Sequence, residues 1–262
     1  MKVASFSVAT VDYFPQADLY CPGGNALNQA VLFSRMGHEC VFAGAVGTDP
    51  AGDRVEELLR REGVDLARLH RLPGRTATNQ LVNDGTGERF SVEGSWDGGV
   101  YPGFRLGPED WEYIGDCDVW TTHADCPSFS EALRRKRPDQ RLCVDFLHLT
   151  DLDLIQRSLH GIDIAYFGGT PDFEPILVRL AAKFRIPLVL TLGAGGSIAF
   201  RGTQVYRQPA LPVERVVDTT GCGDAFQAAF TAAWCAGSGL PECLLAGAEA
   251  GRRATLHHGA RA

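Results

Sequence analysis

The residues best suited to chemistry lie late in the chain, in the segment Asp218-Thr219-Thr220-Gly221-Cys222-Gly223-Asp224. Glycine lets a backbone approach a ligand closely, and the first amides of a helix lack intrahelical partners while the helix dipole adds partial positive charge. Such a segment binds anions, above all phosphate. A carboxylate would repel phosphate unless it faces an incoming hydroxyl, so we expect Asp224 to accept a hydroxyl proton during phosphoryl transfer. The amides would hold the charge on the phosphoryl group, which makes the candidate catalytic residues Gly221, Cys222, Gly223 and Asp224.

The sequence on either side predicts the elements that position this segment. Residues 213–217 have the apolar, β-branched pattern of a strand, and residues 224–236 repeat apolar side chains at helical spacing. The glycines are therefore predicted to lie where a strand passes into a helix. A structural alternative remains for Gly-x-Gly-Asp alone: the turn would be an ordinary junction, in which Asp224 only favours the helix N-terminus.

The rest of the chain alternates strand-like and helical patterns. Strands are predicted at 2–11, 41–46, 119–122, 142–146, 162–167 and 197–202, and helices at 174–184, at 241–257 and in a segment that ends near residue 36. This alternation predicts an α/β sandwich around a largely parallel sheet. Residues 76–96 instead alternate with a period of two around Asn83-Asp84-Gly85-Thr86-Gly87, which predicts a β-hairpin.

The composition excludes several classes of function. A net charge of −7 over 262 residues argues against general binding to nucleic acids or anionic membranes, and no apolar stretch is long enough to span a bilayer. The eight cysteines include no Cys-x-x-Cys pair and no zinc-ligand spacing, so they are predicted to be small apolar fillers in a reducing compartment. We therefore expect a cytoplasmic protein whose partners are small molecules.

Two segments carry a resemblance to a known family. Asp-Thr-Thr-Gly-Cys-Gly-Asp-Ala-Phe at 218–226 resembles the second signature of the ribokinase-like (PfkB) carbohydrate kinases, with Cys222 in place of the usual alanine. Gly23-Gly24, which lead into a helix with Asn28, resemble the first half of the family's other signature. The resemblance covers essentially the whole chain and implies one ribokinase-like kinase domain over 1–262. Its fold would be a three-layer α/β/α sandwich with a mostly parallel central sheet and a small β-lid, whose strands lie at approximately 12–20 and 76–100.

The resemblance also implies a sugar site. In the family, an aspartate just after the first strand and the Gly-Gly-helix segment hold the sugar hydroxyls. A carboxylate, an amide and a closely approaching backbone are chemically suited to a polyol. The matching substrate-binding positions here are Asp12, Gly23, Gly24 and Asn28. Without the second signature, a capped helix with Asn25 or Asn28 as a local hydrogen-bonding residue would be the favoured interpretation.

The resemblance implies ATP as the phosphoryl donor. The positions that match the family's nucleotide-binding segments are Thr191, Gly193, Gly196, Thr220 and Gly259. Two other nucleotide motifs are excluded. The segment after Thr191 is not a dinucleotide fingerprint, because Ile198 stands at the third glycine position and a strand-like run follows. The Gly-x-x-x-x-Gly spacing at 47–52 is not a P-loop, because Asp53 and Arg54 replace the required Lys and Ser or Thr.

The metal site departs from the family pattern. The resemblance implies Mg²⁺, but the family's Asn-x-x-Glu is replaced by Gly-Thr-Pro-Asp at 169–172, so Asp172 or Glu174 would supply the acidic ligand. Asp218 matches a position that helps hold a monovalent cation such as K⁺. A further polar set follows two predicted strands, but its spacing is irregular for a metal site, and contact with the substrate is the alternative. This set consists of His123, Asp125, Asp145 and His148.

These observations predict an ATP-dependent sugar kinase that transfers the γ-phosphoryl group to a primary hydroxyl of a ketose-type sugar. The short chain and the segments 11–16, 191–199 and 258–260 most resemble family members that phosphorylate fructoselysine at its 6-hydroxyl. Fructose, ribose and 2-keto-3-deoxygluconate are the alternative substrates, because a few pocket groups decide the choice of sugar. The missing Asn-x-x-Glu motivates a second hypothesis, a non-catalytic sugar or nucleotide sensor. A homodimer that pairs through the lid would cover the exposed edge of the lid strands.

Overall fold

A computed structural model describes residues 1–260 of the chain. The strands are β1 (Lys2–Ser5), β2 (Thr10–Phe14), β3 (Leu19–Gly23), β4 (Glu39–Gly47), β5 (Asp65–Leu72), β6 (Ala77–Asn83), β7 (Arg89–Ser91), β8 (Val119–His123), β9 (Arg141–Asp145), β10 (Ile164–Gly168), β11 (Leu188–Thr191), β12 (Ser197–Arg201) and β13 (Gln204–Gln208). The helices are α1 (Asn25–Arg35), α2 (Pro50–Arg61), α3 (Pro108–Ile114), α4 (Phe129–Arg135), α5 (Leu152–Ser158), α6 (Glu174–Phe184), α7 (Cys222–Cys235) and α8 (Leu240–Ala254). No helix within these residues is long and apolar enough to cross a membrane.

Nine strands form the central sheet, in the order β13-β12-β11-β10-β9-β8-β1-β4-β5. Neighbouring strands are parallel from β11 to β5. Strands β12 and β13 add an antiparallel edge beside β11. Because the carboxyl ends of parallel strands meet at one edge of a sheet, the segments that follow β1, β8, β9, β10 and β11 gather along that edge.

Alternate side chains of the strands pack into two separate cores, one on each face of the sheet. On one face, Val3 and Tyr166 lie in a cluster with buried residues of α1, α2, α7 and α8. On the other face, Ala4 and Phe167 lie in a cluster with buried residues of α3, α4, α5 and α6. This period-two division of the strands places helices on both faces, and it confirms the predicted three-layer α/β/α sandwich.

A second, smaller sheet forms the lid, in the order β3-β2-β6-β7. Strand β2 pairs antiparallel with β3 and parallel with β6, and β6 pairs antiparallel with β7 across the predicted Asn83–Gly87 turn. Large apolar side chains on and next to the outer lid strands are exposed, namely Tyr20, Phe90, Val92 and Trp96. Such a surface suits contact with a second copy, so the homodimer through the lid stays a prediction.

Two predicted strands are wrong in an informative way. The predicted strand at 2–11 is two strands: β1 ends at Ser5 in the central sheet, and β2 begins at Thr10 in the lid. Residues 3–12 are buried without interruption, so burial does not mark the break, and Asp12 belongs to a lid strand. The predicted strand at 213–217 is an extended segment without strand pairing, and its Val217 amide donates to the Thr255 carbonyl instead.

Candidate active site

The glycine-rich segment makes a tight turn at the N-terminus of α7. Gly221 precedes the helix with φ 76°, and a Cβ atom there would lie 2.4 Å from the Cβ atom of Ala260. At Gly223, no described heavy atom lies within 4 Å of the position that a Cβ atom would occupy, so this stretch of backbone faces open space. The first amides of a helix have no intrahelical partner, although that of Cys222 donates to the Thr219 carbonyl at 3.2 Å. The turn therefore has the geometry and the partial charge to receive a phosphoryl group.

Asp224 lies at this helix N-terminus and is held by two amides of α1. Asn25 Nδ2 donates to Asp224 Oδ1 at 2.9 Å, and Asn28 Nδ2 donates to Asp224 Oδ2 at 2.6 Å. Residues 25 and 28 are three apart on a helix and therefore share a face. Asn28, predicted to bind sugar, thus contacts the candidate base in this structure. The sequence predicts Asn25 only as a local hydrogen-bonding residue. Its spacing of three from Asn28 is the signal that both side chains lie on the same face of the helix.

A second buried carboxylate lies behind Asp224. Asp145, at the end of β9, accepts hydrogen bonds from Gln227 Nε2 at 2.8 Å and from the Leu147 amide at 2.7 Å. Its Oδ2 atom is also 3.4 Å from Asn25 Nδ2, so Asn25 bridges the two carboxylates. Burial raises the pKa of Asp145. Two like charges that share one amide disfavour simultaneous ionisation.

The environment of Asp224 raises the pKa of its carboxyl group to a value near neutral pH. Burial raises the pKa of Asp224 from 3.8 to about 7, the hydrogen bond from Asn28 opposes the increase, and the charge of Asp145 adds to it. The hydrogen bond from Asn25 and the charge of Arg89 lower this pKa. Part of the Asp224 surface stays accessible despite the surrounding protein. A partly accessible carboxylate with a pKa near the working pH suits a general base.

Three of the predicted sugar residues, Asp12, Gly23 and Gly24, lie close together at the base of the lid. Asp12 is buried in β2 and accepts a hydrogen bond from Thr10 Oγ1 at 3.2 Å. A Cβ atom at Gly23 would lie 2.7 Å from Asp12 Oδ2, so only glycine leaves the carboxylate accessible from that side. Gly24 has φ 99° and approaches the Val8 carbonyl, which positions the start of α1. Burial raises the pKa of Asp12 to about 6, and the Thr10 hydrogen bond opposes this.

Asp218 joins three parts of the molecule. It is fully buried and accepts from the Thr220 amide at 3.0 Å and from Thr220 Oγ1 at 2.7 Å. Asn83 Nδ2 of the lid donates to it at 2.8 Å, and the Gly259 amide of the C-terminal turn donates at 2.7 Å. These donors take up the hydrogen-bonding capacity of the Asp218 carboxylate. They link the glycine-rich turn at residues 218–224, called the catalytic turn below because its role is predicted to be catalytic, to the lid and to the C-terminal turn. The assignment of a monovalent cation such as K⁺ to Asp218 stays a prediction.

The other predicted metal ligands are not grouped. Asp172 is exposed in a short 3₁₀ turn, and Glu174 at the start of α6 accepts from Arg207 Nη1 at 3.1 Å. Within residues 1–260, no group of three or more His, Cys, Asp or Glu side chains is arranged to hold a metal ion. The set His123, Asp125, Asp145 and His148 therefore does not form a metal site. Asp172 and Glu174 as ligands of Mg²⁺ stay predictions.

The predicted nucleotide residues lie in two places, three at the turn after β11 and two beside the lid, where a Cβ atom at Gly259 would lie 2.9 Å from Cys21 Sγ of β3. Thr191 ends β11, and Gly193 and Gly196 turn the chain into β12 with φ 56° and 88°. In the central sheet, β11 and β12 lie beyond β10 from β9, whereas β1 and β4 lie on the other side. Thr220 and Gly259 both donate hydrogen bonds to the Asp218 carboxylate. A nucleotide side at β11 and β12 and a sugar side at the lid, with Asp224 between them, stay predictions.

Known proteins resemble this chain over nearly its full length. A family model described as pfkB family carbohydrate kinase matches residues 15–128 and 170–262. The chain is 32% identical over 255 residues to the fructoselysine 6-kinase of Escherichia coli strain K12, with 95% of each chain covered. It is 29% identical over 272 residues to a fructosamine kinase of Bacillus subtilis strain 168, with 99% and 93% covered. Its fold matches the fructose-, ADP- and calcium-bound fructokinase of Vibrio cholerae O395 with a TM-score of 0.77, 25% identity and 99% and 94% covered.

Proposed function

The chain belongs to the pfkB family of carbohydrate kinases, and we propose that this ATP-dependent sugar kinase phosphorylates the 6-hydroxyl group of a ketosamine such as fructoselysine. Similarity to a fructoselysine 6-kinase and to a fructosamine kinase supports the substrate class. The observation that supports the chemistry is the position of Asp224, which lies at the start of α7 and accepts hydrogen bonds from two asparagine amides.

Different residues of the chain accept the proton and stabilise the charge in the proposed phosphoryl transfer. Asp224 accepts the proton of the 6-hydroxyl as its oxygen attacks the γ-phosphorus of ATP, and Asn25 and Asn28 keep the carboxylate aimed at that oxygen. The amides at the start of α7 stabilise the negative charge of the phosphoryl group. Mg²⁺, when bound, would supply further neutralisation of that charge. The ADP product leaves on the β11 and β12 side.

The sugar site is proposed at the base of the lid. Asp12 would accept hydroxyl protons of the sugar, and Gly23 and Gly24 would let the ring approach the backbone. Closure of the lid over the sugar would exclude water, which otherwise competes as a phosphoryl acceptor. The charge of Arg89 acts on both Asp12 in the lid and Asp224 at the start of α7. A substrate held by both carboxylates would have its 6-hydroxyl aligned with the base.

Coupled ADP-release assays over a panel of sugars test this proposal. We expect the highest kcat/KM with fructoselysine, followed by fructose, and little turnover with ribose or 2-keto-3-deoxygluconate. A preference for free fructose would replace the ketosamine by a simple ketose, an alternative that the likeness to a fructose-bound fructokinase supports. Binding of sugar without any release of ADP would support a sensor and contradict the kinase mechanism.

The acid limb of the pH profile should depend on Asp145. The carboxylate of Asp224 is active when deprotonated, so kcat/KM should rise with pH through a midpoint near its pKa of about 7. Asp145→Asn removes a neighbouring negative charge and therefore lowers the pKa of Asp224. The midpoint of the kcat/KM profile should move to lower pH in this variant.

A matched control separates this electrostatic effect from general damage. Asp163 lies at the opposite end of the β9–β10 pair and is not among the groups that shift the pKa of Asp224. It forms an ion pair with Lys136 at 2.9 Å. The variant Asp163→Asn should keep the wild-type midpoint. A midpoint that stays in place or moves to higher pH in Asp145→Asn, with an unchanged melting temperature, would contradict the coupling between the two carboxylates.

A further inference from the structure

The lid is docked onto the catalytic turn by a short set of contacts. The Arg89 amide, at the start of β7, donates to Thr219 Oγ1 at 3.0 Å, and the Thr219 amide donates to the Gly87 carbonyl at 3.2 Å. Asn83 Nδ2 donates to Asp218 Oδ1 at 2.8 Å from the other side of the hairpin. These bonds hold the Arg89 backbone directly against the residues that precede Asp224.

Arg89 forms no ion pair with any other residue of the described range 1–260, although carboxylates are near. Among the ion pairs within residues 1–260, those with N···O distances up to 4.0 Å do not include Arg89. Other arginines around the lid are paired, Arg71 with Asp53 and Glu56, and Arg75 with Asp97. The exposed Arg89 side chain therefore keeps its charge available, although the lid backbone fixes where that side chain starts.

The charge of Arg89 reaches both sides of the cleft. Its positive charge lowers the pKa of Asp12 at the sugar side, of the Asp224 base, and of the Cys222 thiol in the catalytic turn. A phosphoryl group transferred to a hydroxyl at Asp224 would lie near the carboxylates of Asp224 and Asp145, which repel it. A cation placed between the sugar and the catalytic turn would offset that repulsion, and the planar guanidinium suits two phosphoryl oxygens at once.

We propose that Arg89 is a further catalytic residue, whose guanidinium contacts the transferring phosphoryl group and stabilises its charge. The proposal rests on the kinase activity proposed above, but on no particular sugar. Because Arg89 arrives with the lid, the same contact makes transfer depend on closure, which protects ATP from hydrolysis when no sugar is bound. The carboxylate of an amino-acid substituent on the sugar has similar oxyanion chemistry. The docking onto Thr219, next to the phosphoryl-binding turn, favours the phosphoryl group.

Arg89→Gln tests the proposal, with Arg89→Lys and Arg75→Gln as comparisons. We expect kcat of Arg89→Gln to fall about 100-fold, and to the same extent with fructose and with fructoselysine, while the KM values for the sugars change little. Arg89→Lys should recover part of the loss because it keeps the charge without the planar fork. Arg75→Gln changes another exposed lid arginine and should leave kcat at the wild-type level.

Calorimetric binding gives a readout that does not need turnover. In the presence of sugar, wild type should bind ADP with aluminium fluoride, a mimic of the transferring group, at least about tenfold more tightly than ADP alone. Arg89→Gln should lose that gain and keep the affinity for ADP. A loss confined to fructoselysine would assign Arg89 to the substrate carboxylate and overturn the proposal, as would an unchanged kcat. If fructoselysine is not a substrate, the same variants measured with whichever sugar is phosphorylated still decide the role of Arg89.

Discussion

Replacing Asp224 with Asn should lower kcat by at least about 100-fold while the affinity for sugar and nucleotide stays close to that of wild type. The side chain of this variant has nearly the same shape, but it cannot accept the hydroxyl proton. Its carbonyl oxygen can still accept from one of the two amides that hold Asp224, those of Asn25 and Asn28. Coupled ADP release measures kcat, and calorimetric titration with ADP and sugar measures binding.

The matched control is another buried aspartate that lies away from the cleft. Asp110 is buried and, in α3, accepts hydrogen bonds from the Gly107 amide at 2.8 Å and from His70 at 2.8 Å. Asp110→Asn should lower stability because it weakens a helix cap, but it should keep kcat per folded molecule. Turnover within about threefold of wild type in Asp224→Asn would remove Asp224 as the general base.

Asp224→Asn, which should lower activity, should raise the stability of the folded chain at neutral and alkaline pH. The pKa of Asp224 in the folded chain is about 7, above its ordinary value of 3.8, so ionisation is less favourable in the folded state than in the unfolded state. The wild-type protein therefore loses stability as the pH rises from about 4 to about 7. Asp224→Asn has no such loss and should gain in melting temperature relative to wild type at pH 8. An enzyme that is less active and more stable is the expected sign of a strained catalytic group.

Local patterns predicted the elements that depend on neighbouring residues. Helix α6 has the predicted bounds, Glu174–Phe184, because its apolar period and its start at a proline turn lie within one segment. The hairpin between β6 and β7 follows from its turn residues. The position of Asp224 at the start of a helix follows from the glycines before it and the apolar period after it. These features need no knowledge of the rest of the fold.

The parts that the sequence did not predict depend on pairing across long distances. The local sequence does not distinguish a strand that continues in the central sheet from one that passes into the lid. The sequence therefore predicts one strand at 2–11 where the structure has β1 and β2. The contact between Asp145 and Gln227 joins residues 82 apart, and the bridge from Asn25 to Asp224 joins residues 199 apart. Such contacts follow from the layer arrangement, which brings α1 and α7 together on one face of the sheet.

Gly221→Ala should be the second most damaging change. A Cβ atom at this position would lie 2.4 Å from the Ala260 Cβ and 2.7 Å from its Cα, so the C-terminal turn and the catalytic turn cannot both keep their places. The backbone also has φ 76°, which disfavours alanine by about 1 kcal/mol. Displaced amides at the start of α7 would stabilise the phosphoryl group less well, and we expect kcat to fall about 100-fold with a higher KM for ATP.

The other end of the same helix offers a control for backbone strain alone. Gly237 follows α7 with φ 91°, and no described heavy atom lies within 4 Å of the position of its Cβ. Gly237→Ala should therefore lose a similar amount of stability from conformation but keep kcat and the KM for ATP. Thermal unfolding and steady-state kinetics of the two variants separate the effects. Equal kinetics in both variants would mean that the contact between residues 221 and 260 does not position the catalytic amides, and that the turn tolerates a Cβ where we expect a phosphate-binding backbone.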